Sequence, residues 1–591
     1  MPMESTNGHN GGVYDELGIA DGYHDVSGRW HVTPQATRDA LTTAMGEAQP
    51  GPPLWFVDKG STAALTGRCH LGLGDGHDLG AVDALPADLP LGYHRLTPVD
   101  GGPETMLVVA PRRCPRAPRG WGVAAQVYSL WRAGGWGIGD LGDVEHLGQE
   151  VAALGGAAVL LSPLHAPAPT MPQATSPYYP SSRLWLDPSL IPVQGEAPAG
   201  LPDEPGGLID RDRVWGAKRQ ALATLFAAEG NEPEWRAWAR AQGPALWQFA
   251  TWNALADRFG PAWRLWPDEF RHPDSPAVLD LPLTDHQFAS SCEFHAWVQW
   301  IADRALRRAS AAAGVELIGD LAVGCSPDGA DAWRFQDQMA LDVQIGAPPD
   351  PFAAAGQAWG LPPFVPWRLS AARYGPFIEM VRATCRGMGG VRIDHVMGMF
   401  RQFWIPAGGS PAEGAYVRMP AEELMAIIRL EATLAGCFVI GEDLGTVEPE
   451  VHEAMSRGAL LGTKVWWFDQ AIEGWPEASL ATVTTHDLPT VAGVVGGTDG
   501  DDAMRGAVHA TCPGLDEAEV AIELHRRIAS SQAALCLATL EDLAGLDERP
   551  NYPGTVTPRN WSHRMPAASE TILHDEPAHS IVAAMGETRP A

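Results

Sequence analysis

The sequence predicts an α/β protein built on a (β/α)8 barrel, and two observations carry that expectation. After Gly120, apolar runs of strand length recur, each followed by a turn and usually by a helical stretch. Near-continuous apolar strands separated by helices indicate a parallel sheet covered on both faces. The runs also number eight, as such a barrel requires. In order they are VAAQVYSL (123–130), AAVLLSP (157–163), VELIGDLAV (315–323), GGVRIDHV (389–396), CFVIGEDL (437–444), TKVWWFD (463–469), ATVTTHD (481–487) and, least regular, AALCLATLED (533–542).

The remaining segments are placed around these runs. Residues 188–314 are far too many for one connection. They contain EWRAWARAQGPALWQFATWNALADRF, with helical spacing and many Trp, so a helical insertion is expected after the second strand. Residues 1–12, MPMESTNGHNGG, lack the basic and apolar regions of a signal peptide and read as a flexible tail. Residues 13–46 read as an N-terminal helical segment, with TPQATRDALTTAMG suggesting a capped start at Thr33. After the linker QPGPP (49–53), runs such as LGYHRL and TMLVVAP point to a small β domain over 47–113. The barrel is assigned residues 114–591.

Composition narrows the function. Of 591 residues, 41 are basic and 72 acidic, for a net charge of −31, and Lys occurs only at Lys59, Lys218 and Lys464. So negative a chain repels phosphate backbones and anionic membranes, so neither nucleic acid nor membrane is expected as a partner. The longest apolar stretch, 154–164, is about half the length of a bilayer helix. The eight Cys are scattered without a C-x-x-C pair, so neither a zinc ribbon nor a disulfide framework is indicated. These features suit a soluble cytoplasmic protein. The 23 Trp against 9 Tyr and 15 Phe fit either a packed core or flat faces that bind sugars.

Polarity at the ends of the apolar runs locates the candidate chemistry. Asp320 lies in the third run, Arg392, Asp394 and His395 in the fourth, Glu442-Asp443 end the fifth, and His486-Asp487 end the seventh. In a parallel barrel these C-terminal ends gather at one mouth. A lone Asp after a strand is commonly a helix cap, and Arg392 with Asp394 could be only an ion pair. Carboxylates on four strands exceed what capping requires. Several acids with His and Arg suit retaining glycoside chemistry, which needs one ionised carboxylate and one protonated carboxyl. Arg392, two residues before Asp394, shares its face and would favour the ionised form.

The residues also resemble a known family, bacterial 4-alpha-glucanotransferase, also called amylomaltase or disproportionating enzyme. The matching segments are SLWRAGGWGIGDLGDV (129–144), SPYYPSSRLWLDP (176–188), IGDLAVG (318–324), GAPPDPFAAAGQAWGLPPF (346–364), VRIDHVMGMFRQFWIP (391–406), GAYVRMP (414–420), IGEDLGTVEPEV (440–451), VTTHDLPTVAG (483–493) and RPNYPGTVTPRNW (549–561). The resemblance implies a nucleophile at Asp394, a general acid and base at Glu442, and a third carboxylate holding sugar hydroxyls at Asp487. It implies that Arg392, His395 and His486 bind the reacting glucose and that Tyr178, Asp320, Gln357 and Trp359 contact substrate. It further implies no cofactor and α-1,4-linked glucans (maltose, maltotriose, longer maltodextrins) as substrates. Segment 346–364 resembles a loop arching over the cleft.

Several positions depart from the family pattern: Pro351 before Phe352, Cys325-Ser326-Pro327 before Asp328, and VVGG after Gly493. Rival readings remain at this stage. GIGDLG (137–142) matches G-x-G-x-x-G, but residues 131–136 separate it from the strand and the next strand ends without a carboxylate, contrary to a dinucleotide site. His395 and His486 lack metal-ligand spacing, so no metal is expected. An α-glucan hydrolase or debranching-type enzyme would use the same carboxylates. A non-catalytic glucan-binding protein would have lost at least one of them.

Overall fold

A computed structural model describes residues 12–589 apart from residues 26, 203, 350–352, 354 and 446. The expected tail, save Gly12, and the departure at Pro351 lie outside the described residues. Each of the eight apolar runs overlaps a strand. These are β1 (Gly120–Ala125), β2 (Ala158–Leu161), β3 (Glu316–Leu321), β4 (Gly390–Ile393), β5 (Phe438–Gly441), β6 (Gly462–Val465), β7 (Ser479–Thr482) and β8 (Leu535–Thr539). They form one sheet in the order β5-β4-β3-β2-β1-β8-β7-β6, a nearly closed barrel. Register partners in parallel pairs include Gly122 with Ala158, Ile318 with Gly390, and Leu480 with Leu535. The strands are buried because their side chains are apolar on both faces: Val123, Val159, Ile318, Val391, Ile440 and Leu535 are all inaccessible or nearly so.

The chain forms two compact units. One comprises residues 117–334, 386–394 and 461–591. Between β2 and β3 it carries the helices Arg211–Glu229, Pro233–Gln242, Pro244–Phe259, Pro276–Thr284 and His286–Ala313. Trp252, Trp266 and Trp297 are buried there, so much of the Trp excess is packing. Lys218 is buried too, its ammonium donating to the carbonyls of Ser189 (2.7 Å) and Ile191 (3.1 Å).

The G-x-G-x-x-G segment serves as a helix start. Asp140 caps the helix Leu141–Ala153 in a reciprocal box with Asp143, and Arg132 donates to both carboxylates at 2.7 and 2.6 Å. Gly139 is required for close approach, since a Cβ there would lie 2.0 Å from the Val127 carbonyl oxygen.

The other unit comprises residues up to 116, 335–385 and 395–460. Within 13–46 only Gln35–Met45 is helical; ahead of it Gly22–His24 pairs with Trp30–Val32 in an antiparallel ribbon. Thr33 does not cap that helix. Pro34 occupies the cap position with no side-chain bond, and the Thr33 hydroxyl donates to the Ala20 carbonyl at 2.8 Å. Gly18 and Gly28, both at positive φ, turn the chain where a longer helix would have run.

Strands Leu54–Asp58, Ala64–Gly72, Asp78–Ala84, Gly92–Pro98 and Thr105–Ala110 form a five-stranded sheet over a core including Leu71, Leu96 and Leu107. Segment 346–364 contains strand structure that its loop reading did not include. Val343–Ala347 and Gln357–Leu361 pair antiparallel, and Arg401–Pro406 and Ala415–Arg418 extend them to four strands. Pro348 and Pro349 interrupt the alternation that would have signalled a hairpin.

The contact of β1 with β2 gives a test. A Cβ on Gly122 would lie 2.1 Å from the Ala158 carbonyl oxygen and 2.9 Å from Leu537 Cδ2. Gly122→Ala should therefore cost about 1–3 kcal/mol, as overpacked cores do, and lower the melting temperature in scanning calorimetry. Unchanged melting would contradict this approach of the strands.

Candidate functional site

The register of β3 against β4 builds the first cluster. Asp320 and Arg392 are direct partners across this parallel pair and project from the same face. Arg392 Nη1 donates to both Asp320 carboxylate oxygens at 2.8 Å, and Nη2 lies 3.0 Å from Asp394 Oδ1. Asp394 is the first residue beyond β4, and its N–H donates to the Leu321 carbonyl at 3.1 Å. One guanidinium thus serves two carboxylates.

Tyr178 connects this pair to the residues beyond β7. Its hydroxyl donates to Asp320 Oδ2 at 2.7 Å and lies 3.4 Å from His486 Nδ1. Its ring stacks on His486 at 4.8 Å, and Trp561 tilts against both rings, at 5.4 Å from Tyr178 and 5.3 Å from His486. His486 Nε2 lies 3.5 Å from Asp487 Oδ2. Asn551 Nδ2 donates to Asp487 Oδ1 at 2.7 Å, while Arg549 Nη1 donates to the Asp487 carbonyl at 2.6 Å.

This network divides the charges. Desolvation pushes the Asp394 carboxyl up to about 6; Arg392 opposes it, and Asp320 reinforces it. Arg392 therefore acts in the direction read from the sequence, but desolvation outweighs it. For Asp487 the balance reverses. Desolvation raises the carboxyl, but His486, Asn551 and Arg392 together bring it below its ordinary value. Desolvation also works against a charged His486, yet Asp487 and Asp394 raise it above its ordinary value.

The second cluster contains Gln357, Trp359, His395 and Glu442. Both Glu442 carboxylate oxygens accept backbone N–H groups, from His395 at 3.0 Å and Leu444 at 2.7 Å. His395 directly follows Asp394, so Glu442 is bonded to the residue next to that carboxylate. His395 sits at φ 49°, a left-handed backbone that non-glycine residues hold at a cost. Its imidazole is pushed down to about 4 by desolvation and by Arg401, and is neutral. Trp359 meets His395 edge to face at 5.3 Å and donates its indole N–H to Gln357 Oε1 at 3.1 Å. Among the described residues, no group of three or more His, Cys, Asp and Glu is placed to hold a metal ion.

Of the ten residues singled out in the sequence, six share the first network and four the second. Asn551 and Trp561 were not singled out, although both lie in the segment 549–561. They follow β8 on an irregular stretch, where no strand-end pattern marks them. Trp561 itself holds φ 61°.

The family model described as 4-alpha-glucanotransferase matches residues 125–570. A 4-alpha-glucanotransferase of Mycobacterium tuberculosis is 36% identical over 598 aligned residues, spanning 86% of this chain and 82% of its own. One of Haemophilus influenzae is 33% identical, spanning 68% of this chain and 65% of its own. The amylomaltase structure from Corynebacterium glutamicum matches with a TM-score of 0.81 at 28% identity, over 96% of this chain and 98% of that one.

The charge division is open to titration. His486 should titrate above the ordinary histidine value of about 6.5 when its ring is followed by NMR. In Asp487→Asn it should titrate lower, because desolvation is then opposed by less negative charge. An unchanged titration would separate His486 from Asp487.

Proposed function

The chain belongs to the 4-alpha-glucanotransferase family, and on that premise we propose how its residues carry the reaction. It transfers α-1,4-glucan segments by a retaining double displacement. Asp394 attacks the anomeric carbon of the donor glucose as the glycosidic bond breaks, and Glu442 gives its proton to the departing oxygen. The shortened glucan leaves. Glu442 then takes the proton from the 4-hydroxyl of an acceptor glucan, whose oxygen displaces Asp394. Two inversions return the α configuration.

The observation that carries this reading is the clamp of Arg392 on Asp320 and Asp394, with Glu442 bonded to the N–H of the very next residue. Arg392 offsets part of the desolvation of Asp394, and a carboxyl near 6 is mostly ionised at neutral pH, as a nucleophile must be. Asp487, held below its ordinary value, acts as an anionic acceptor for sugar hydroxyls. Arg392, His395, His486, Tyr178 and Asp320 hold the reacting glucose. Gln357 and Trp359 support the glucan through hydrogen bonding and an apolar ring face.

The substrates proposed are maltose, maltotriose and longer maltodextrins. They are neutral, so the net charge of −31 brings no electrostatic penalty to their approach. All eight cysteines are free thiols and seven are buried, which suits the reducing cytoplasm.

Maltotriose tests the assignment. The protein should convert it to glucose plus a ladder of longer dextrins, whereas a hydrolase would release only shorter products. Asp394→Asn should lower turnover by about 10^4-fold or more, because the covalent route is lost. Near-normal transfer by that variant would overturn the assignment of the nucleophile.

A further inference from the structure

We propose that Asn560 is a positioning residue that fixes the amide orientation of Asn551 and, through it, the hydrogen bond on Asp487. The proposal rests on the reading above that Asp487 acts on the sugar. It begins with the surroundings of Asn560, a side chain only 5% exposed. Its Nδ2 faces acceptors: the Thr555 carbonyl at 3.1 Å, the Tyr552 carbonyl at 3.4 Å, Thr555 Oγ1 at 3.2 Å and Asn551 Oδ1 at 3.0 Å. Its Oδ1 accepts from the Thr557 hydroxyl at 3.0 Å.

An amide presents donors on one side and an acceptor on the other. Turning the Asn560 amide over would set its oxygen against two backbone carbonyls, which cannot donate. Its orientation is therefore dictated by the main chain. Because Asn560 donates to Asn551 Oδ1, Asn551 must turn its own Nδ2 the other way, where it meets Asp487 Oδ1 at 2.7 Å.

The main chain pins both ends of this relay. The Asn551 N–H donates to the His486 carbonyl at 3.1 Å, and the Trp561 N–H donates to the Pro550 carbonyl at 2.7 Å. The charged groups that act on Asp487 are His486 and Arg392, and Asp394 and Asp487 raise one another through their like charge. The ionised Asp487 carboxylate can only accept, so it too favours the Asn551 Nδ2 on its own side. Asn560 holds the same orientation from the opposite side, at Asn551 Oδ1, through a donor that the main chain fixes.

The test uses Asn560→Asp, which keeps the shape and replaces the donor with an acceptor. The Asn551 amide then faces an acceptor on each side and can turn its Nδ2 to only one of them, so its bond to Asp487 is weakened. The kcat/KM for maltotriose should fall about 10–100-fold, the range expected when a hydrogen bond to a charged group is lost. Followed by 13C NMR, the Asp487 carboxyl should titrate higher than in the unaltered protein, because it loses a bond that lowers it.

In an Asn551→Ala background the same substitution should add less than about two-fold and leave the Asp487 titration in place, since the relay is already broken. A full loss in that background, or an unmoved Asp487 titration in the single variant, would overturn the proposal. Asn560→Ala, which introduces no repulsion, should show a smaller loss and the same dependence on Asn551; should Asn560→Asp fail to fold, this variant decides the matter alone, and a loss independent of Asn551 would again overturn it. Failure of the underlying reading would look different: Asp487→Asn itself would retain near-normal transfer.

Discussion

The arrangement depends on one guanidinium placed between two carboxylates. Asp320 is buried and Asp394 only partly exposed, and two such charges side by side repel strongly where little water screens them. Arg392 makes the pair tenable, with three contacts of 2.8 to 3.0 Å. Removing one partner of such a group leaves a desolvated charge behind, which is costlier than the pair is favourable. The placement follows from strand pairing, because Asp320 and Arg392 face each other across β3 and β4. A slip of either strand by one residue would turn its side chain to the opposite face and part the pair. The sheet register is thus also the register of the chemistry.

Around this clamp burial and neighbouring charge set the state of each ionisable group. Asp394 is raised, by desolvation first and then by Asp320, with which it shares its cation, whereas Asp487 is desolvated too but has His486 and the Asn551 amide and is lowered. His486 is raised by the acids that face it, while His395, beside Arg401, is neutral. Two carboxylates and two imidazoles of the same types are driven in opposite directions by their neighbours. Such separation is how one site holds several protonation states at one pH.

Much of this was legible in the sequence, for identifiable reasons. Each strand of the barrel overlaps a largely apolar run, because burial on both faces favours apolar side chains. Asp320, Arg392, Asp394, Glu442 and His486-Asp487 were visible because polar residues are costly at the ends of such runs and stand out against them. The hairpin at Val343–Ala347 and Gln357–Leu361 was not legible, since prolines break its alternation and its strands have five residues each. Thr33 misled because a threonine before a helical stretch commonly caps it, whereas Pro34 takes that place and Thr33 is drawn to Ala20. Asn551, Asn560 and Trp561 escaped notice because their roles depend on tertiary hydrogen bonds and stacking along an irregular segment, where composition and period carry no signal.

The central claim is that Asp394 becomes covalently glycosylated while Glu442 supplies the proton. A glycosyl fluoride donor needs no proton to depart, so it should load a Glu442→Gln enzyme that is slow to unload. Rapid quenching with α-maltosyl fluoride, proteolysis and mass spectrometry would locate the sugar. The account predicts a maltosyl adduct on the peptide carrying Asp394. An adduct on any other residue, or no adduct with release of a product of inverted anomeric configuration, would contradict it.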